Sequence, residues 1–252
     1  MREFDKRFYL WYTFRSEIMI KEDDFMIKAV IFDMDGTVTD TLSTIAYFGN
    51  FALEKNGFEP IDEVEYKYFA GNGKKILIRR MLDYGNNYTP DNYKRVEKTY
   101  DDAYEGDTVG KTTVFDGILP LLEKLHQNGI KTAVNSNKPD NVAVAALNKI
   151  FPKGSFDDAC GQKEDVPIKP DPTAALRLAA EFGAKPGECV FVGDTSVDIE
   201  TAKNAGMHSI GVLWGFRDFS ELHEAGAEYI AEKPEEIWNI ILKIESEKTR
   251  DN

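Results

Sequence analysis

The chain is 252 residues long and 42% apolar, enough for one large domain, or a domain with a sizeable insertion, around a substantial core. Asp and Glu outnumber Lys and Arg by 44 to 31, and the net charge of −13 argues against general affinity for nucleic acid or an anionic membrane. Cys160 and Cys189 show neither C-x-x-C nor Cys/His ligand spacing, so they suggest no disulfide framework and no zinc site, but free thiols in a reducing cytosol.

Residues 1–25 mix acids and bases through an aromatic segment and lack the zones of a signal peptide. No apolar run reaches the roughly 18 residues of a membrane helix. A soluble, cytoplasmic protein without a membrane partner is expected. The leader is either a native extension or the product of an upstream start, and its deletion is expected to preserve activity.

Apolar, β-branched runs predict strands at 27–32, 130–134, 189–193 and 208–213, with shorter candidates at 156–160 and 228–231. After the first strand, residues 42 to about 110 carry helical patterns and no convincing strand, which reads as a helical insertion. Ile118, Leu122 and Leu125 then share one helical face, behind Asp116 as N-cap and before Gly129 as a stop. Asp171 can cap the next helix, with Pro172 at its first position and Gly183 at its end. Strands alternating with helices from residue 112 onward indicate an α/β fold with a mainly parallel sheet covered on both faces. The expected domains are a leader (1–25), a core (26–41 and 112–245), a helical cap (42–111) and a tail (246–252). An insertion after the first strand lies over the carboxyl ends of the strands, where open α/β sheets place ligands.

The polar residues at those strand ends carry the chemistry. Asp33 and Asp35 follow the first strand, Ser136 the second, and Asp194 with Asp198 a later one, while Lys169 precedes a helix. In a parallel sheet these groups can converge on one edge. Three or four acids in one pocket repel one another unless a divalent cation joins them, and hard oxygen ligands suit Mg²⁺. One carboxylate then serves as nucleophile while its neighbour carries a proton, and Ser136 and Lys169 hold an anionic group. Phosphoryl transfer fits this inventory best. Lys138 competes with Lys169 as the phosphate lysine.

Within the insertion, Gly71, Asn72 and Gly73 precede a helix carrying Lys74, Lys75, Arg79 and Arg80. Helix N-terminal amides and a guanidinium such as Arg79 or Arg80 are what a substrate carboxylate needs beyond its phosphate, although a solvated basic face accounts for the same residues. The three histidines share no spacing, and Trp214 and Phe216 read first as packing.

Asp33-Met34-Asp35-Gly36-Thr37, Ser136, Lys169 and Gly193-Asp194 through Asp198 resemble, in order, the four motifs of the haloacid dehalogenase-like hydrolase superfamily. The stretches "FAGNGKKILIRRML", "VNSNKPD", "IKPDP" and "VGDTSVDIETAKNAGM" further resemble its phosphoglycolate phosphatase-like branch, which has a helical cap of the first type. The similarity spans roughly residues 27 to 245. It implies a Rossmann-like core and a Mg²⁺-dependent hydrolysis of a small phosphorylated metabolite, 2-phosphoglycolate being the favoured candidate, by a monomer or homodimer. Asp33 is implied as nucleophile, Asp35 as acid and base, and Ser136, Asn137 and Lys169 as phosphate ligands. Asp33, Asp194 and the Asp35 carbonyl are implied as metal ligands, with Asp198 acting mainly through water or through hydrogen bonds behind those ligands. Asp35 argues against dehalogenation, and Ser136 stands where the branch more often has Thr. A sugar-phosphate phosphomutase and an inorganic diphosphatase of the same superfamily remain alternatives. Against a phospho-accepting receiver-like module stand the paired acids, the G-D-x-x-x-D element and the lid-sized insertion.

Overall fold

The computed structural model describes residues 26–107 and 109–248; the leader and residues 249–252 lie outside them. Strand β1 (Ala29–Phe32) is buried along its whole length, as a strand covered on both faces must be. Its side chains alternate between two cores. Val30 and Phe32 join Leu122, Leu125, Val134 and Ile241 on one face. Ala29 and Ile31 join Ala133, Leu178, Phe191 and Ala202 on the other.

After β1 the chain forms β2 (Thr39–Asp40), which pairs antiparallel with β3 (Thr113–Val114), so the intervening segment leaves and returns at one small ribbon. Between them run α1 (Leu42–Lys55), α2 (Tyr66–Phe69), α3 (Lys74–Tyr84) and α4 (Pro90–Gly106). The start of α4 follows from local chemistry: the Thr89 side chain accepts from Asn92 N, and Pro90 occupies a position whose N–H has no helical partner. These helices bury Phe48, Leu53, Tyr66, Ile78, Met81 and Val96 in a core of their own, which Val142 and Phe216 join from outside the segment.

The remaining chain alternates α5 (Ile118–Gln127), β4 (Lys131–Pro139), α6 (Asp140–Ile150), β5 (Asp158–Gln162), α7 (Thr173–Glu181), β6 (Cys189–Gly193), α8 (Ser196–Ala205), β7 (His208–Val212), α9 (Phe219–Ala225), β8 (Tyr229–Ala231) and α10 (Pro234–Lys248). The six-stranded sheet has the order β5-β4-β1-β6-β7-β8, with every pairing parallel. Strand order therefore reverses around β1, whose last residue, Phe32, stands opposite both Val134 and Val192. The groups that follow those residues meet at one switch point. Among the described residues no helix is long and apolar enough to cross a membrane.

Three local expectations change. Asp116 does not cap α5: Gly117 takes that place at φ 91°, without a side-chain cap. Asp171 does accept from Thr173 N, but Pro172 precedes the helix rather than opening it. Strand β4 runs past residue 134 to Pro139, because an irregularity between Asn135 and Pro139 lets the polar residues continue alongside β5.

Candidate active site

The turn after β1 is built to present carboxylates. Asp33 N continues the ladder to the Val192 carbonyl, after which the Met34 carbonyl gathers the N–H groups of Thr37, Val38 and Thr39 and the Thr39 hydroxyl. Gly36 sits at φ 88°, and a Cβ there would lie 2.3 Å from Asp194 Oδ2, so both backbone and space demand glycine. Asp33 Oδ1 accepts from Met34 N at 2.6 Å and faces Lys169 Nζ at 2.8 Å.

Strand β6 brings the second acid. Asp194 Oδ1 accepts from the Thr37 hydroxyl at 3.0 Å and Oδ2 from Phe216 N at 2.8 Å. Trp214 packs against the core of Val30 and Phe32, and Phe216 in that of the helical segment, as their sequence suggests; Trp214 also donates its indole N–H to the Thr37 carbonyl, which braces the Asp-bearing turn. Asp198, in the first turn of α8, spends Oδ2 on Thr195 N and its hydroxyl and Oδ1 on Lys169 Nζ at 2.7 Å. Ligand oxygens of Asp33, Asp194 and Asp198 lie within 4.8 Å of one another, all buried.

Burial first, then the charge of Asp198, pushes the Asp194 carboxyl up to about 7. The same two causes, with Asp194 added and Lys169 opposing, hold Asp33 well above the usual carboxylate range. Burial pulls the Lys169 ammonium down, but the Asp198 and Asp33 carboxylates outweigh it and hold the group above its ordinary value. Three carboxylates around one ammonium leave an excess of two negative charges, among oxygen donors only. That donor set fits a hard divalent cation such as Mg²⁺.

In front of this cluster lies a cavity of about 180 Å³ whose walls include Asp33, Asp35, Ser136, Lys138, Lys74 and Tyr104. Lys138 Nζ grips both oxygens of Asp35, at 2.9 and 3.0 Å. The two candidate lysines thus divide the acids: Lys169 bridges Asp33 and Asp198, and Lys138 holds Asp35. Ser136 Oγ lines the cavity and accepts from Lys138 N. Asn137 also lines it, but its side-chain amide is already committed to the carbonyls of Gly71 and Lys169 and to Lys169 N. It ties β4 to the helical segment.

Of the residues singled out in the helical segment, Gly71 and Gly73 reach the cavity, whereas Asn72, Arg79 and Arg80 do not line it. Arg79 pairs with Asp83 and lies over the Tyr88 ring, and Arg80 donates to the Tyr68 and Phe69 carbonyls. The reason is helical periodicity: Lys74 and Leu77, three apart, share the cavity-facing side of α3, and Arg79 and Arg80 fall on other sides. The sequence signal for Lys74 was its spacing from Leu77. Arg217, in the loop after β7, had no such signal. It is nearly buried, donates to the Lys67 and Ala70 carbonyls and pairs with Glu221 at 2.9 Å.

Comparison with known proteins accords with this arrangement. The model of the haloacid dehalogenase-like hydrolase family matches residues 27–206. A phosphoglycolate phosphatase of Cereibacter sphaeroides is 35% identical over 194 residues, covering 76% of this chain and 87% of the relative. One from Vibrio parahaemolyticus is 27% identical over 219 residues, covering 85% and 96%. A solved structure from Lactobacillus delbrueckii subsp. bulgaricus, provisionally described as a phosphoglycolate phosphatase, is 33% identical and superposes with a TM-score of 0.82 over 85% of this chain and 98% of that one. With an Asp-x-Asp-Gly-Thr turn at the switch point of a parallel sheet and a match across most of its length, the chain belongs to the haloacid dehalogenase-like hydrolase family, in its phosphoglycolate phosphatase-like branch.

Proposed function

We propose that the protein is a cytoplasmic, Mg²⁺-dependent phosphatase of small phosphate monoesters, 2-phosphoglycolate foremost. The observation that carries this reading is the meeting of Asp33 and Asp35 in one cavity, with the buried Asp194, Asp198 and Lys169 behind them. The names of the relatives and the small cavity support the choice of substrate, since drug-sized ligands occupy roughly 300–1,000 Å³.

Asp33 attacks phosphorus in line, and the bond to the leaving alcohol breaks as the aspartyl-phosphate forms. Asp35 is the general acid, passing a proton to the departing oxygen. In the second half Asp35 takes a proton from water, whose oxygen attacks phosphorus and returns Asp33 to a carboxylate. Lys169 orients Asp33 and, with the Ser136 hydroxyl, faces the transferring group. Lys138 holds Asp35 on the cavity side. Asp33, Asp194 and the Asp35 carbonyl would hold Mg²⁺, which when bound would neutralise charge on the transferring phosphoryl group. Asp198, fully committed to Thr195 and Lys169, supports the ligands from behind. Residues 42–111 act as the cap that shields this chemistry from water.

The test is phosphate release from a panel of monoesters with Mg²⁺ by a monomer or homodimer, free of nucleic acid. A phosphomutase using the same aspartyl-phosphate would isomerise its substrate at constant ester, and a diphosphatase would turn over inorganic diphosphate in preference to the esters. Release of free phosphate from small monoesters is the expected result, and none across the panel would sink the reading.

A further inference from the structure

We propose that Lys74 and Tyr104 form a carboxylate subsite, the part of the cavity that reads the end of the substrate opposite its phosphate. The proposal rests on the phosphatase reading for the position of the phosphate end.

Two lysines line the cavity, and they differ in what they are free to do. Lys138 is nearly buried beside a partly buried Asp35 and is bound to both carboxylate oxygens, so it belongs to the reacting side. Lys74 stands on the helical side. Its Nζ lies 2.7 Å from each oxygen of Asp101 and 3.9 Å from Glu97, and all three groups retain solvent exposure. Water weakens such a pair, so the ammonium is held in place without being consumed. An ammonium has three N–H donors, and Asp101 engages two at most. The third remains for a ligand oxygen.

Tyr104 supplies a second, independent observation. The residue is 5% exposed and lines the same cavity; Lys138 is the cation beside its hydroxyl and can only donate to it, so the O–H finds no acceptor among the described residues. A buried O–H without an acceptor is costly, and a ligand oxygen would relieve it. Asp101 and Tyr104 are three apart on α4, which places the anchored lysine and the phenol on one helical face. Asp101 lines the same wall and balances the charge of Lys74, and the two donors left over, the third Lys74 N–H and the Tyr104 O–H, call for an acceptor with two oxygens. In a cavity of about 180 Å³ that already receives a phosphate, a carboxylate is the group of the right size.

The test is calorimetric titration of the full chain with Mg²⁺, using two non-hydrolysable ligands: 3-phosphonopropionate, which carries the carboxylate, and propylphosphonate, which lacks it. The wild type is expected to prefer the former about tenfold, the range of one charge-assisted hydrogen bond. Lys74→Met should erase most of that preference, Tyr104→Phe should reduce it about threefold, and Lys74→Arg should retain it. Equal affinity of the wild type for both ligands, or equal weakening of both by Lys74→Met, would overturn the subsite. A retained preference with no phosphate release from 2-phosphoglycolate would instead sink the phosphatase reading and leave the subsite standing.

Discussion

At the scale of single residues, Asp194 links pH to metal. Its carboxyl is raised to about 7 in the folded chain by burial and by Asp198, against an ordinary value of 3.8, and Asp33 is raised for similar reasons. A carboxyl raised on folding binds its proton more tightly in the native state. Its stabilising contribution is full below the unfolded value and is lost as pH rises through about 7. A cation that replaces those protons must therefore help most where they have left. We expect Mg²⁺ to raise the melting temperature more at pH 8 than at pH 5.5, as read by differential scanning fluorimetry. An equal or larger rise at pH 5.5 would contradict the assignment. Asp35→Asn should lower turnover about 10²- to 10⁴-fold, the range of general acid–base catalysis, while leaving Mg²⁺ binding intact by the same melting assay. The acid pair was legible because its spacing is local. Lys74 was visible only as one of four basic residues on its helix, and Tyr104 and Arg217 carried no signal, because their roles arise only when elements distant in sequence meet.

Among elements, the contacts between the helical segment and the sheet are few and specific. The Asn137 side chain joins the Gly71 carbonyl to the backbone of Lys169, and Arg217 joins the loop after β7 to the carbonyls at Lys67 and Ala70. Asn137→Ala leaves those backbone groups unsatisfied and should destabilise the chain by about 1–3 kcal/mol in urea melts. Arg217→Ala should speed amide hydrogen exchange around Tyr66–Ala70 without a matching change in β1. Uniform acceleration throughout would show that Arg217 serves global stability instead. Strand positions were readable from their apolar runs, with β6 matching at both ends. Helix starts were less so: Gly117 precedes α5 where Asp116 was expected to cap it, because a backbone at positive φ, packed against Pro234, governs that turn. The extension of β4 through Ser136 and Asn137 was hidden because polar residues at a strand end look like loop.

For the molecule as a whole, alternation of strands and helices foretold a parallel sheet, and the sheet order explains why Asp33, Ser136, Lys169 and Asp194 meet although they are far apart in the chain. What periodicity could not show is which side of each inserted helix faces the cavity, and hence which cations a substrate encounters. The proposed division of labour makes the two halves unequal: the sheet edge supplies the phosphoryl chemistry, and the helices choose the ester. The most direct test of the central claim is phosphate release from 2-phosphoglycolate by the wild type and by Asp33→Asn, each with Mg²⁺ and with excess chelator. Release by the wild type that is lost on chelation, and at least about 10³-fold lower in Asp33→Asn, is the expected result. Turnover unchanged by chelator, or undiminished in Asp33→Asn, would contradict it.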